Sequence, residues 1–146
     1  MMIEQMKACH VSQVAELEKI SFSDPWSEKS VASELDNKLS LWLVATEGDT
    51  VMGYVGSQTV MGETDMMNVA VHPDFRRRHI AETLIDALVR ELKAIDSYCL
   101  TLEVRASNVP ARRLYEKMGF EQIGERRNYY RNPKENAIIL RKEWEV

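Results

Sequence analysis

The sequence predicts an α/β chain of the mixed, α+β kind: a central mixed sheet flanked by helices. Three observations carry that expectation. The runs at 64–71 and 98–105 are strand-like. Between them, Ile80 to Ile95 sets Leu84, Ile85, Leu88, Val89 and Leu92 on one helical face. A strand–helix–strand step joins parallel neighbours, because the crossover returns the chain to the same end of the sheet. The runs at 39–46 and 51–60 are instead joined by a tight turn, E-G-D-T at 47–50, which suits antiparallel neighbours.

The elements follow in the order β-α-α-β-β-β-α-β-α-β-β. Ile3 to Met6 is a short strand. Val11 to Ile20 is a helix, with Val14, Leu17 and Glu18 at helical spacing. The stretch F-S-D-P-W-S-E-K-S breaks it, and Ser27 is placed to cap a second helix holding Ser30 to Leu35. Strands at 39–46, 51–60 and 64–71 precede the long amphipathic helix. In the strand 98–105, Leu100, Leu102 and Val104 take one face, while Thr101, Glu103 and Arg105 take the other. A short helix comes next. Asn108 is its N-cap, Pro110 lies in its first turn and Gly119 ends it. The last strands lie near Glu121–Arg127 and Ala137–Arg141. No repeat, low-complexity tract or linker interrupts this order, so residues 1–146 are read as one domain.

Composition narrows the function classes. No apolar run approaches the roughly 18 residues of a membrane span. The opening M-M-I-E-Q-M-K-A lacks the apolar core of a signal peptide. The expectation is a soluble, cytoplasmic protein without a membrane partner, monomeric or weakly oligomeric. Cys9 and Cys99 have neither metal spacing nor a disulfide framework, so they are read as reduced thiols and no metal is expected. The net charge of −4 is uneven. Residues 1–65 hold four Lys/Arg against eleven Asp/Glu, and residues 66–146 hold fifteen against twelve. This is either a chance imbalance of solvated faces or a basic half for an anionic ligand and an acidic half for a cationic one.

The stretch V-H-P-D-F-R-R-R-H-I-A, residues 71 to 81, narrows the choice. A strand ends at Val71, a Pro-containing turn follows, and three arginines precede a helix. The first N–H groups of a helix have no intrahelical acceptor, so such a start can hold an anion. Read alone, the stretch is either that or an exposed basic turn. It is not a Walker loop, which requires Gly-x4-Gly-Lys. Direct nucleic-acid binding is not expected: the net charge is negative and no aromatic residues interleave with these arginines.

Two further residues invite a chemical reading. Glu103 sits late on its strand, near the switch between parallel strands where ligands gather. Read alone, it is a proton acceptor or a solvated carboxylate. Tyr115 shares a helical face with Ala111, Leu114 and Met118. Read alone, it is a proton donor or a core residue. Cys99 has no base placed beside it and is not read as an acyl carrier.

Taken together, these stretches resemble the Gcn5-related N-acetyltransferase superfamily. Its loop pattern Gln/Arg-x-x-Gly-x-Gly/Ala lies here on Arg76, Arg77, Arg78, His79, Ile80 and Ala81, with His79 in the central glycine position. L-E-V-R-A-S-N-V-P-A-R-R-L-Y-E-K-M-G-F at 102–120, R-R-N-Y-Y at 126–130 and F-S-D-P-W-S at 22–27 are similar to its ribosomal-protein alanine N-acetyltransferases. Where that family often carries Pro after the paired tyrosines, this chain has Arg131. The resemblance implies the acetyltransferase fold, acetyl-CoA as cosubstrate, and the N-terminal alanine of a small-subunit ribosomal protein as acceptor. It also implies backbone contacts from residues 76–81 to the CoA diphosphate. Val69, Ala70 and Val71 would pair with the pantetheine arm and Asn108 would touch CoA. Glu103 would be the general base and Tyr115 the general acid. Residues Phe22 to Glu34 would border the acceptor, with Glu28 and Glu34 as candidate contacts to a basic peptide. The alternatives are acetylation of lysine or a small amine, and a silent acyl-CoA-binding module.

Overall fold

The computed structural model describes residues 1–145. Among them, seven strands form one sheet: β1 (Met2–Gln5), β2 (Ser40–Glu47), β3 (Thr50–Val60), β4 (Glu63–Val71), β5 (Cys99–Arg105), β6 (Glu121–Arg131) and β7 (Lys134–Glu143). Their spatial order is β1-β2-β3-β4-β5-β7-β6. The helices are α1 (Val11–Ser21), α2 (Glu28–Ser33), α3 (Ile80–Ala94) and α4 (Val109–Lys117). Only β4 and β5 pair in parallel, across the α3 crossover; the other neighbours are antiparallel. The sheet is therefore mixed, in the element order that the sequence predicts. No described helix is long and apolar enough to cross a membrane.

The strand period sorts side chains into two cores. On one face Leu84, Leu88 and Leu92 of α3 pack on Leu43, Leu100 and Leu102. On the other face Val14 and Leu17 of α1 and Val31 of α2 pack on Trp42, Val44 and Tyr54. Trp42 lies flat against Tyr54, and a Cβ added to Gly56 would stand 2.5 Å from its ring. Glycine is required there by close approach rather than by a turn. Thr101, Glu103 and Arg105 of β5 point to this second side beyond the helices and are only half-buried.

Helix ends follow the predicted chemistry. The Ser27 hydroxyl accepts from the Ser30 N–H and caps α2. The Asn108 carboxamide accepts from the Ala111 N–H and caps α4. Gly119 at φ 94° ends α4 in a Schellman turn: the Phe120 N–H donates to the Tyr115 carbonyl, and the Gly119 N–H to the Glu116 carbonyl. α2 is shorter than expected, because residues 34–36 tighten into a 3-10 turn. The β6–β7 hairpin is longer than expected, running on to Arg131 and back from Lys134. β6 is exposed along almost its whole length, so it carries no apolar alternation by which to find its end.

One buried charge ties the second face together. Glu18 of α1 is wholly buried. Its carboxylate accepts from the Tyr54 hydroxyl, the Trp26 N–H at 2.9 Å and the Asn68 carboxamide at 3.0 and 3.1 Å. Burial first, and then the Glu18 charge, push the Tyr54 hydroxyl far above its ordinary value, so it remains a donor. One side chain thus joins α1, the α1–α2 loop, β3 and β4. Glu18→Ala leaves these donors buried without their acceptor and is expected to cost about 3 kcal/mol. Urea unfolding of the variant against the parent chain measures the loss.

Candidate active site

β4 and β5 pair only from Glu63–Asp65 to Cys99–Thr101. Beyond that they part. β5 continues along β7 to Arg105, and β4 continues along β3 to Val71. The inner edge of β4 from Met66 to Val71 therefore has no strand partner. A bulge marks the start of the divergence: Met66 and Asn68 pair with consecutive residues of β3, leaving Met67 over.

Two adjoining cavities fill the opening. One, of about 260 Å3, runs between Val69 of β4, Val104 of β5 and Asn108, Ala111 and Tyr115 at α4. The other, of about 540 Å3, lies between the α1–α2 loop (Phe22, Asp24, Trp26) and the β6 tyrosines Tyr129 and Tyr130. Glu103 lines both, as do Phe22, Asn68, Arg105 and Tyr130.

Glu103 is half-buried, and Arg126 of β6 approaches its carboxylate at 3.8 Å. Burial raises its pKa above the ordinary carboxylate range; Arg126 opposes the shift and Asp65 of β4 adds to it. Tyr115 is buried to 7% exposure. The Schellman turn explains its placement, because that turn brings Phe120 back onto the residue at C3; the two rings meet edge-on at 5.6 Å. Burial first, then Tyr130, pushes the Tyr115 phenol well above its usual value. Tyr130 is itself pushed up to about 12 by burial, and then by Tyr129 and Glu103.

A third cavity, of about 350 Å3, lies between Val71, the start of α3 and Leu114 of α4. Arg77 has φ 67° and His79 φ 56°, so the chain twists through left-handed conformations just before α3 begins. The N–H groups of Ile80, Ala81 and Glu82 form the first helical turn and face this end without intrahelical acceptors. Consecutive exposed N–H groups beside arginines make an anion cradle.

The Acetyltransferase (GNAT) family pattern matches residues 11–120 of this chain. The chain belongs to this family. The ribosomal protein bS18-alanine N-acetyltransferase of Haemophilus ducreyi is 36% identical over 142 residues, covering 95% of this chain and 97% of that protein. The Salmonella typhimurium protein of that name is 38% identical over 127 residues, covering 86% and 85%. The crystal structure of the Escherichia coli ribosomal-protein-S18-alanine N-acetyltransferase superposes with a TM-score of 0.91 at 32% identity, covering 99% of this chain and 94% of that one.

The GNAT cofactor pattern can now be placed residue by residue. Val69 and Asn108 line the cavity beside β5, and Val71, Arg76, Arg77, His79, Ile80 and Ala81 line the one at the α3 start. Ala70 lines neither, its side chain lying in the core of the opposite face. Arg78 is turned aside: it reaches Glu47 at 3.4 Å and lies over the Phe75 ring. The expected contacts Glu28 and Glu34 are not brought to the cleft. The Glu34 carboxylate accepts from Asn37 and Ser40, in a separate hollow beside Trp42. Glu28 opens α2 and Glu34 lies in the 3-10 turn that follows it, and neither lines the cleft; Asp24 is the acid that the α1–α2 loop contributes. Sequence reasoning missed Asn68, Arg105 and Glu18. Glu18 left a signal, a carboxylate spaced with Val14 and Leu17 on the apolar stripe. Asn68 left none. Among the described residues, no group of three His, Cys, Asp or Glu is placed to hold a metal ion.

His79 occupies the glycine position in the conformation that favours glycine, with φ 56° and ψ 28°. Histidine tolerates this region better than most side chains. Its imidazole reaches Glu82 at 3.2 Å and is otherwise exposed. His79→Gly removes about 1–2 kcal/mol of left-handed strain. The variant is expected to bind acetyl-CoA as tightly as the parent or more so, by titration calorimetry. A tenfold loss, about 1.4 kcal/mol, would instead make the imidazole a cofactor ligand.

Proposed function

We propose that this protein transfers the acetyl group of acetyl-CoA to the α-amine of an N-terminal alanine on a small-subunit ribosomal protein, the bS18 protein that its relatives are named for. One observation carries the reading. Glu103 stands where the cavity opened by the parting of β4 and β5 meets the wider cleft beneath the α1–α2 loop. Near-full-length identity to bS18-alanine N-acetyltransferases supports the choice of acceptor. A ribosomal acceptor places the reaction in the cytoplasm.

The residues fit the cosubstrate. The N–H groups of residues 77–81, with Arg76 and Arg77, hold the diphosphate. Along β4 the backbone groups of Val69 and Val71 face the open edge and are free for an extended amide arm, while those of Ala70 between them face β3. Asn108 uses its carbonyl to cap α4 and keeps its NH2 for CoA. Acetyl-CoA supplies an acyl group already activated as a thioester. The protein aligns the amine and moves two protons.

Glu103 takes the proton that the α-ammonium must lose before its nitrogen bonds the acyl carbon. Its raised pKa narrows the gap to an α-amine, near 7.7–8.0, far more than to a lysine near 10.4. Tyr115 gives its proton to the thiolate released when the carbon–sulfur bond breaks. Burial keeps that phenol protonated, so it is available as a donor throughout the working pH range.

Glu103 must be ionised to act, so kcat/KM falls as pH drops through its folded pKa. Because that pKa is raised, the fall begins at a higher pH than for a solvated carboxylate. Glu103→Gln and Tyr115→Phe should each lower kcat by roughly 10²-fold or more, leaving acetyl-CoA affinity unchanged. Steady-state rates across pH, beside calorimetric titration, check both. Near-normal turnover in either variant would remove that residue from the chemistry.

Thiol release distinguishes acceptors. An Ala-initiated peptide should outpace the same peptide with its α-amine blocked and a lysine supplied, and should outpace a polyamine. Equal rates on the blocked peptide would move the reading to lysine, and tight acetyl-CoA binding without turnover would leave only a silent module.

A further inference from the structure

Arg105 lies two residues beyond Glu103 on the same face of β5, within E-V-R-A-S-N, and lines both cavities. Its guanidinium makes four contacts with one hairpin. It donates to the Pro133 carbonyl at 2.9 Å, the Asn132 carbonyl at 3.2 Å and the Glu135 carboxylate at 3.2 Å. It also lies over the Tyr130 ring, 4.3 Å from the centroid. Glu135 is fixed in turn by the Ser107 N–H at 2.6 Å; the Ser107 bonds hold its carboxyl below the usual range, so it stays ionised opposite Arg105.

We propose that Arg105 is a positioning residue for the acceptor: it clamps the β6–β7 turn to β5 and so sets Tyr130 as a wall of the acceptor cleft. The inference rests on the acceptor reading given above. Three features of the molecule support it. β6 is an exposed edge strand whose pairing with β7 is interrupted between Arg126 and Tyr130, with Asn128 at φ 53°. Pairing resumes at Tyr130 opposite Glu135, beyond the point where β7 stops pairing with β5 at Ala137, so the height of Tyr130 over the sheet follows the end of the hairpin that Arg105 grips. The turn carbonyls of Asn132 and Pro133 find their donors in Arg105. Finally, the same turn reaches the other wall of the cleft, where the Asn132 carboxamide donates to Asp24 of the α1–α2 loop at 3.3 Å. Arg105 thus governs one wall directly and the span across the mouth through Asn132.

The residue type matters. A planar fork can serve two carbonyls and a carboxylate while stacking on a ring; an ammonium is a point charge and cannot do all of these together. Lysine at this position keeps the charge and loses the clamp.

The test uses the full chain, an Ala-initiated peptide and acetyl-CoA, with thermal unfolding of each variant. Arg105→Met keeps the apolar stem and removes the fork. It is expected to raise the peptide KM by about tenfold or more, with the acetyl-CoA KM within about twofold of the parent. Arg105→Lys should behave like Arg105→Met. In a Tyr130→Leu background, Arg105→Met should have little further effect on the peptide KM, because both changes remove the same wall. An unchanged peptide KM in Arg105→Met overturns the inference. So do rescue by lysine, additive effects in the double variant, or equal rises in both KM values with a large fall in melting temperature. If the parent chain itself turns over no N-terminal amine, the acceptor reading falls and this inference with it. That outcome is distinct from an active parent matched by Arg105→Met.

Discussion

β4 and β5 pair for three residues and then part, and the site exists because of that parting. A parallel ladder continued to Val71 and Arg105 would have used the backbone groups of both strands and left no space between them. Two local devices accompany the divergence. The Met67 bulge increases the local bend and twist of β4. Asn68, the next residue, is tied to the buried Glu18 carboxylate on α1. β5 is held on its other side by β7 through the whole of its length. The opening is thus framed by paired strands on both sides.

The same tie organises what lies over the opening. Glu18 also accepts from the Trp26 N–H, so the α1–α2 loop is fixed relative to β4 rather than draped across it. The opposite wall comes from a hairpin whose outer strand is exposed and irregular, and side chains of β5 hold it down. Both walls of the cleft are therefore set by single polar side chains, Glu18 and Arg105, on otherwise ordinary elements. Buried or half-buried polar groups of this kind fix geometry because each remaining donor is costly to leave unpaired.

The two groups given proton-transfer roles lie in contrasting surroundings. Glu103 is half-buried among mixed charges: Asp65 and burial favour its neutral form and Arg126 its ionised form. Tyr115 is almost wholly buried, and burial, with Tyr130 adding to it, favours its neutral phenol. The first environment yields a carboxylate poised above its usual range, the second a phenol that stays protonated.

The amino-acid sequence alone determined the element order, the parallel step across α3, both helix caps and the Gly119 stop, because each is a local preference or period. It also determined the family, through the spacing of Arg76–Ala81 and of Glu103, Asn108 and Tyr115. Tertiary structure decided the rest. No local signal tells where β4 leaves β5, since pairing length depends on a neighbour far along the chain. The end of β6 was hidden because an exposed edge strand has no apolar alternation. Glu34 points elsewhere because the 3-10 turn at 34–36 brings its carboxylate to Asn37 and Ser40. Glu18, Asn68 and Arg105 took their roles only in three dimensions, where a carboxylate, a carboxamide and a guanidinium distant in sequence found the partners that water would otherwise supply.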